Sequence, residues 1–380
     1  MFNEKWQKKL DLQKENGLYR NPVFIEKRTG KTTTINDREV VNFSSNDYLG
    51  IATLTDLKLS ASKNFLKYGT SSSSSRLVSA NYSAINEAER RFADFFGYEE
   101  ALFFPSGFQC NQGLVSSILE PEDIAIFDKH LHASSVKGLV LSKGEFTGYK
   151  HNSMSHLEKK CIQHKEKFKA VLTESLFSMD GDLLDVNEFK KLKDKYSFLS
   201  VIDEAHSFGA LGEGGRGIAR DAADIAVGTF GKALGFFGAF VLMPSILKEY
   251  LLNFSSQQIY TTTLPEAHAA TAMEILDIVE KAEDRRSHLK EMSEYMKNEL
   301  KNLNLKVLGE AHIISPEIGP EKLSAKISKK LLSHGYFVLP ARYPTVPMGK
   351  SILRISMTAL HEKSDIDGFV DALKKVMSEN

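Results

Sequence analysis

Between about Asn46 and Ala267, short apolar runs alternate with stretches of helical periodicity, and this constrains the fold more than any other feature of the chain. The runs are Ala101-Leu-Phe-Phe, Ile124-Ala-Ile-Phe, Ala170-Val-Leu-Thr, Phe198-Leu-Ser-Val-Ile, Ile225-Ala-Val-Gly and Ala239-Phe-Val-Leu. None keeps a strict in-and-out alternation, so each reads as a strand buried on both faces. Helices between such strands make an α/β fold with a mostly parallel sheet. The chain has 380 residues. That exceeds the roughly 250–300 at which a single core stops growing, so more than one lobe is expected.

The flanks read differently. Trp6, Leu10 and Leu12 recur at helical spacing up to about Gly17, and Val23 to Phe43 reads as short strands with a turn at Thr29-Gly30. From Pro265 through about Leu303 the pattern is one long helix with Met273, Leu276 and Ile278 on its apolar stripe, expected to bridge two domains. Val307 to Met377, including Tyr336-Phe-Val-Leu and Ile352-Leu-Arg-Ile-Ser-Met, reads as a small α+β domain. The expected division is therefore an N-terminal arm (1–45), a large domain (46–267), and a connecting helix with a small C-terminal domain (268–380). There is no internal repeat, and the one low-complexity tract is Ser71 to Ser75.

Composition narrows the function classes. Lys plus Arg and Asp plus Glu both number 49, which removes the electrostatic footprint of a dedicated nucleic-acid binder or a polybasic membrane-surface protein. Only Cys110 and Cys161 are present, too few for a disulfide framework or a cysteine zinc site, and a reducing, cytoplasmic compartment is expected. The polar first ten residues lack the apolar core of a secretory signal. The most apolar run, Ala233 to Met243, is about half the ~20 residues a spanning helix requires, so no membrane insertion is expected.

Against that background a few motifs carry chemistry. The strand Phe198-Leu-Ser-Val-Ile ends in Asp203-Glu-Ala-His206, an acid and an imidazole at the carboxyl edge where open α/β sheets place ligands. A carboxylate there can hold a pyridinium nitrogen protonated, and His206 can bond a phenolic oxygen. A capped strand end is the alternative. Lys232, in Gly228-Thr-Phe-Gly-Lys-Ala-Leu-Gly235, lies in an apolar, glycine-rich turn where desolvation favours the neutral amine, the nucleophile an aldehyde needs. Ser106-Gly-Phe108 runs from a strand into a helix start, a plausible phosphate cradle or simply a bend. His130 and His132 follow another strand, where a planar ring can stack on a planar cofactor. A metal site lacks convincing further ligands nearby. Arg354, a cation within a strand-like run, suggests a carboxylate partner or an edge position facing water.

Two motif matches fail on context. Gly212-Glu-Gly-Gly-Arg-Gly217 fits a dinucleotide pattern but lies well beyond the strand end at Asp203, without the acid expected downstream. It reads as a glycine loop. The segment before Lys232 approaches a phosphate loop, yet Ala226 replaces its first glycine and Ala233 its magnesium-binding hydroxyl.

Taken together, Asn42-Phe-Ser-Ser-Asn-Asp-Tyr-Leu-Gly50, Pro105-Ser-Gly-Phe108, His132-Ala-Ser134, Thr173-Glu-Ser-Leu-Phe-Ser-Met-Asp-Gly181, Asp203-Glu-Ala-His206, Thr229-Phe-Gly-Lys232 and Tyr343-Pro-Thr-Val-Pro347 resemble the α-oxoamine synthases over nearly the whole chain. These are fold-type I pyridoxal 5′-phosphate enzymes that join an amino acid to an acyl thioester with loss of carbon dioxide. The resemblance implies Lys232 as the Schiff-base lysine and α-proton base, Asp203 as the pyridinium partner, His206 on the ring oxygen and His132 stacked on the ring. It implies Gly107, Phe108 and Thr229 at the phosphate and Ser178 at the cofactor ring. Arg354 would meet the amino-acid carboxylate, with His132, Asn46, Thr345 and Arg20 lining the substrate side. The short N-terminus, the length and the run Asn42 to Gly50 look most like the biotin-pathway branch, which condenses L-alanine with a pimeloyl thioester carried by CoA or a carrier protein. Serine palmitoyltransferase, glycine C-acetyltransferase, 5-aminolevulinate synthase and long-chain amino-ketone synthases are the alternatives. The family is a homodimer with shared sites, and Tyr260-Thr-Thr-Thr263 is where a partner's phosphate contact is expected. One departure is Gly69-Thr-Ser-Ser-Ser-Ser-Ser-Arg76, where relatives intersperse glycines. Outside the family, a nicotinamide oxidoreductase would bind its cofactor at Gly212 to Gly217, and a non-catalytic module would have no need of Lys232 or Asp203.

Overall fold

A computed structural model describes residues 2–379. The chain separates into two compact units: one takes 51–177 and 183–286, the other 2–50, 178–182 and 287–379.

In the first unit all six apolar runs are strands, joined by a seventh, in the spatial order Glu100–Phe104, Ala239–Met243, Ile225–Thr229, Leu199–Asp203, Lys169–Glu174, Ile124–Asp128, Glu145–Tyr149. Ala239–Met243 runs antiparallel to both its neighbours, and every other pairing is parallel. The sheet buries Leu102, Ala125, Ala170, Leu172, Val201, Ile225, Val227 and Val241 together with helix residues such as Leu114, Leu139 and Leu251. Burial on both faces explains why these strands read as unbroken apolar runs. Glu145–Tyr149 escapes that signal because it is an edge strand with Glu145 and Phe146 exposed.

The consequence for function is one of direction. Glu100–Phe104 and the four neighbouring strands ending at Thr229, Asp203, Glu174 and Asp128 all point the same way, so their carboxyl ends open at one sheet edge. Two helices begin there. Gly107–Ser117 starts behind Ser106, whose Oγ accepts from the N–H of Gln109 at 3.2 Å. Such a cap contributes about 1 kcal/mol. Ala133–Leu141 starts behind His132, whose ring takes the capping position.

The expected single helix from Pro265 to Leu303 is instead two, Glu266–Glu280 and Glu283–Asn302. The break has no glycine or proline. Glu283 and Asp284 supply the acidic first turn of the new helix, and buried Arg286 donates from Nη1 at 2.8 Å to the carbonyl of Val279, which also accepts from the N–H of Ala282 at 3.2 Å.

The second unit holds two four-stranded sheets. One is Lys27–Thr29, Thr32–Ile35, Arg38–Asn42 and Tyr336–Phe337, with Gly30 at φ 57° in the expected turn. The other is Val307–Leu308, Ile313–Gly319, Ser351–Ser356 and Leu339–Ala341. The run Tyr336-Phe-Val-Leu, read as one strand, therefore divides between the two sheets, with buried Val338 at the crossing. Helix Phe2–Glu15 forms with Phe2, Trp6, Leu10 and Leu12 all exposed. Among the described residues no helix is long and apolar enough to cross a membrane.

Candidate active site

The shared carboxyl edge of the sheet encloses a recess with about 520 Å³ of space free of protein atoms. Gly107, Phe108, His132, Asp203, His206, Thr229 and Lys232, seven residues singled out from the sequence, all line it.

Each wall follows from local structure. Asp203 ends its strand with both carboxylate oxygens held: Oδ1 accepts from the N–H of Ala205 at 2.9 Å, and Oδ2 from Nδ2 of Asn111 at 2.8 Å. His206 is buried one turn further on. Opposite, the helix beginning at Gly107 leaves its first N–H groups without intrahelical acceptors. A Cβ added at Gly107 would stand 3.8 Å from Thr229 Oγ1, an ordinary contact, so the helix start lies beside that hydroxyl. Two amide donors at the positive end of a helix make an anion cradle, with the Thr229 hydroxyl beside it.

Lys232 sits half-buried in the turn after Ile225–Thr229. That turn is closed on itself. Phe230 donates to the carbonyl of Gly238 at 3.0 Å, Phe236 to that of Phe230 at 2.8 Å, and Gly235 to that of Lys232 at 2.9 Å. Thr229 Oγ1 donates to the Gly238 carbonyl at 3.1 Å and accepts from Gly231 at 3.2 Å. The turn rests on Phe230, Phe240 and buried His268.

His132 is open to the recess, and its Nδ1 lies 2.7 Å from Ser134 Oγ and 3.3 Å from the Ser134 N–H. Desolvation by the surrounding walls pushes its pKa below the ordinary histidine value. The Asp203 charge works against that shift and the Lys232 charge adds to it. The imidazole is therefore neutral at pH 7. His130, by contrast, stacks on His151 with ring centroids 3.8 Å apart.

Arg20, Asn46, Ser178, Thr345 and Arg354 belong to the second unit. Arg354 donates from Nε to the Ser178 carbonyl at 2.6 Å and from Nη1 to Asn46 Oδ1 at 3.1 Å and Ser356 Oγ at 2.5 Å. Its protein partners are thus a carbonyl, an amide and a hydroxyl. Tyr48 donates to the same Asn46 oxygen at 3.2 Å. Arg20 and Thr345 lie apart from this hydrogen-bonded group. Both are exposed beside Arg342, whose pKa is lowered by burial and by the charge of Arg20, and Thr345 donates to the Arg342 carbonyl at 2.9 Å. Gly212–Gly217 forms a short turn remote in sequence from the strand end, as a plain glycine loop would.

Asn111, Ser134 and Glu174 also line the recess, and motif reading missed their part in it. Signals existed. Asn111 follows Gly107 by one helical turn on the same face, and Glu174 stands in register beside Asp203 on the adjacent strand.

Known proteins resemble this chain over most of its length. The model of the family "Aminotransferase class I and II" matches residues 38–373. The 8-amino-7-oxononanoate synthase of Thermoanaerobacter pseudethanolicus is 35% identical over 376 residues, covering 97% of this chain and 95% of that protein. Among solved structures, the serine palmitoyltransferase of Sphingomonas wittichii superposes with a TM-score of 0.92 at 26% identity, covering 100% of this chain and 97% of the other. The 8-amino-7-oxononanoate synthase of Francisella tularensis gives 0.78 at 29% identity, covering 90% and 98%.

Proposed function

Since the chain belongs to the aminotransferase class I and II family, and within it to the α-oxoamine synthases, we propose that it joins L-alanine to a pimeloyl thioester, releasing carbon dioxide and CoA or a carrier protein, to give 8-amino-7-oxononanoate. It is a pyridoxal 5′-phosphate enzyme and an acyltransferase. The observation that carries the substrate assignment is the 35% identity, over nearly the full chain, to a relative of that name. A second reading, condensation of serine with a long-chain thioester, draws on the TM-score of 0.92 to a serine palmitoyltransferase.

The recess fits the cofactor by the chemistry of its donors. Lys232 would supply the amine for the aldehyde carbon, Asp203 would partner the ring nitrogen and His206 would bond the phenolic oxygen, all three lining the recess. The N–H groups of Gly107 and Phe108, beside Thr229, would take the phosphate, and the family resemblance assigns Ser178 to the ring side. When bound, the cofactor withdraws electron density from the α-carbon of the amino acid. Asp203, held by Asn111 and by a backbone N–H, keeps a fixed negative charge where a protonated ring nitrogen needs it. Lys232 would serve as the general base that takes the α-proton. His132 shields one side of the reacting centre and contacts the substrate as a neutral ring. Arg354, with Asn46, Thr345 and Arg20, takes the amino-acid carboxylate. Among the described residues Arg354 has only neutral partners, which leaves its charge for an anion.

We also propose a homodimer with shared sites, in which exposed Leu77, Val78 and Phe254 are covered and the segment Tyr260 to Thr263 meets the partner through Tyr260, Thr261 and Thr262, Thr263 being buried within its own chain. The protein works in the cytoplasm on this reading, in keeping with two buried, unpaired cysteines. The deciding experiment measures thiol release with alanine, serine and glycine against pimeloyl, acetyl, succinyl and palmitoyl thioesters. Turnover is expected with alanine and the pimeloyl thioester, and none with that pair would overturn the assignment. Lys232→Ala is expected to lose both turnover and the visible absorbance of lysine-bound cofactor.

A further inference from the structure

Asp203 and His132 stand on different strands' loops, yet a continuous line of hydrogen bonds joins them. Asn111, only 4% exposed, places Nδ2 at 2.8 Å from Asp203 Oδ2 and 3.1 Å from Ser134 Oγ. Ser134, fully buried, places that same Oγ at 2.7 Å from His132 Nδ1.

The direction of every proton in this line follows from its ends. A carboxylate can only accept, so the group of Asn111 facing Asp203 is its NH2, which can only donate. Its second hydrogen therefore points to Ser134 Oγ. That oxygen keeps a second lone pair, so the direction of its own O–H is decided at the His132 end. The Ser134 N–H converges on His132 Nδ1 at 3.3 Å, which is the capping bond of the helix Ala133–Leu141. An Nδ1 that receives two donors carries no proton.

We propose that Asn111 and Ser134 are positioning residues that lock His132 as the neutral tautomer protonated on Nε2, so that the ring presents an N–H donor and not a lone pair to a bound ligand. The positive end of the helix that His132 caps opposes an imidazolium there, and so does the charge of Lys232; the Asp203 charge favours it, and Glu174 is a second carboxylate lining the recess. A base at this position would need its free lone pair on the recess side. This arrangement points His132 instead toward holding an acceptor oxygen, such as that of a carboxylate or a thioester carbonyl. The proposal rests on the functional reading above for that acceptor, but not for the tautomer.

The test is nitrogen NMR of the cofactor-loaded protein labelled with ¹⁵N in its histidine rings, with the His132 signals assigned by their loss in His132→Gln. At neutral pH the wild-type ring is expected to show an unprotonated Nδ1 and a protonated Nε2. A proton on Nδ1, or on both nitrogens, overturns the proposal without any further variant having to fold. In Ser134→Ala only the longer backbone bond remains at Nδ1, so the Nδ1-protonated form should become populated and kcat/KM fall roughly five- to tenfold, the usual worth of one such bond. Ser134→Thr, which keeps the hydroxyl, should restore both. Asn111→Leu frees Ser134 Oγ to accept and should likewise mix the tautomers. An unmoved ring spectrum in both Ser134→Ala and Asn111→Leu would overturn the positioning roles. No amino acid or thioester enters the NMR measurement. A protein that turns over alanine and the pimeloyl thioester with Nδ1 protonated sinks this proposal alone, whereas correct tautomers without that turnover sink only the substrate assignment.

Discussion

Arg354 shows how much a single side chain's geometry decides. Its guanidinium is oriented by three neutral acceptors, two of them, Ser178 and Asn46, far from it in sequence. Arg354→Lys keeps the charge but replaces a planar fork with a point donor that cannot reach the Ser178 carbonyl and Asn46 together. On the proposed role, KM for the amino acid should rise about tenfold with little change in kcat, the pattern of lost uniform binding. Steady-state kinetics with varied alanine check it. A fall in kcat with KM unmoved would show that Arg354 does not hold the ground-state carboxylate. At this scale the sequence was informative where function needs a rare residue in a rare setting. Lys232 in an apolar turn and Asp203 at a strand end were both visible, and both line the recess. Asn111 and Ser134 were not. An amide and a hydroxyl are common on helices, and what distinguishes these two is the direction in which each is buried, which depends on how two helices start at one sheet edge.

Elements were legible to the extent that burial marks them. Six strands stood out because both faces are covered, while Glu145–Tyr149, a half-exposed edge, has no such mark. The helix break at Lys281 has no glycine or proline to announce it, and the Arg286 bond to the Val279 carbonyl that spans it comes from an otherwise ordinary helical residue. The strand Ile225–Thr229 illustrates the opposite case, in which one residue type limits an element. Gly228 lies against the rings of Phe240 and Phe208, and a Cβ there would overlap both. These rings belong to the aromatic cluster under the Lys232 turn. Gly228→Ala must push them aside and should destabilise the protein by about 1–3 kcal/mol, as overpacking does. Because the strand carries Thr229 directly into the turn, cofactor affinity should fall with it. Urea unfolding and a cofactor titration measure the two effects, and an unchanged unfolding midpoint would show that the cluster yields freely.

Across the whole molecule the formal charge balances at pH 7, so long-range repulsion contributes little there and individual buried groups govern the response to acid. Two histidines stand out, one in each compact unit. His268, fully buried among Phe103, Phe230, Phe236 and Phe237, is pushed from 6.5 to about 4 by burial, against the opposing effect of its hydrogen bond to the Phe237 carbonyl. His361, stacked on Phe43, is lowered from 6.5 to about 4, again by burial first; Asp365 and a backbone bond oppose the shift and Lys31 adds to it. In the folded protein both rings stay neutral down to about pH 4, while in the unfolded chain each takes up a proton near 6.5. Between those values the unfolded state binds more protons, so stability rises with pH. The contribution is complete above 6.5 and is lost as the pH falls toward 4. At about 1.4 kcal/mol for each tenfold change in proton affinity, the loss is on the order of 3 kcal/mol per histidine. The urea midpoint followed by circular dichroism should therefore drop steeply over this interval. His268→Gln, which can still donate to the Phe237 carbonyl and does not titrate, should flatten the slope of stability against pH by about one proton. If the variant's slope matched that of the wild type, protonation of His268 would not be what acid acts on, and the buried imidazole would have to titrate close to its ordinary value.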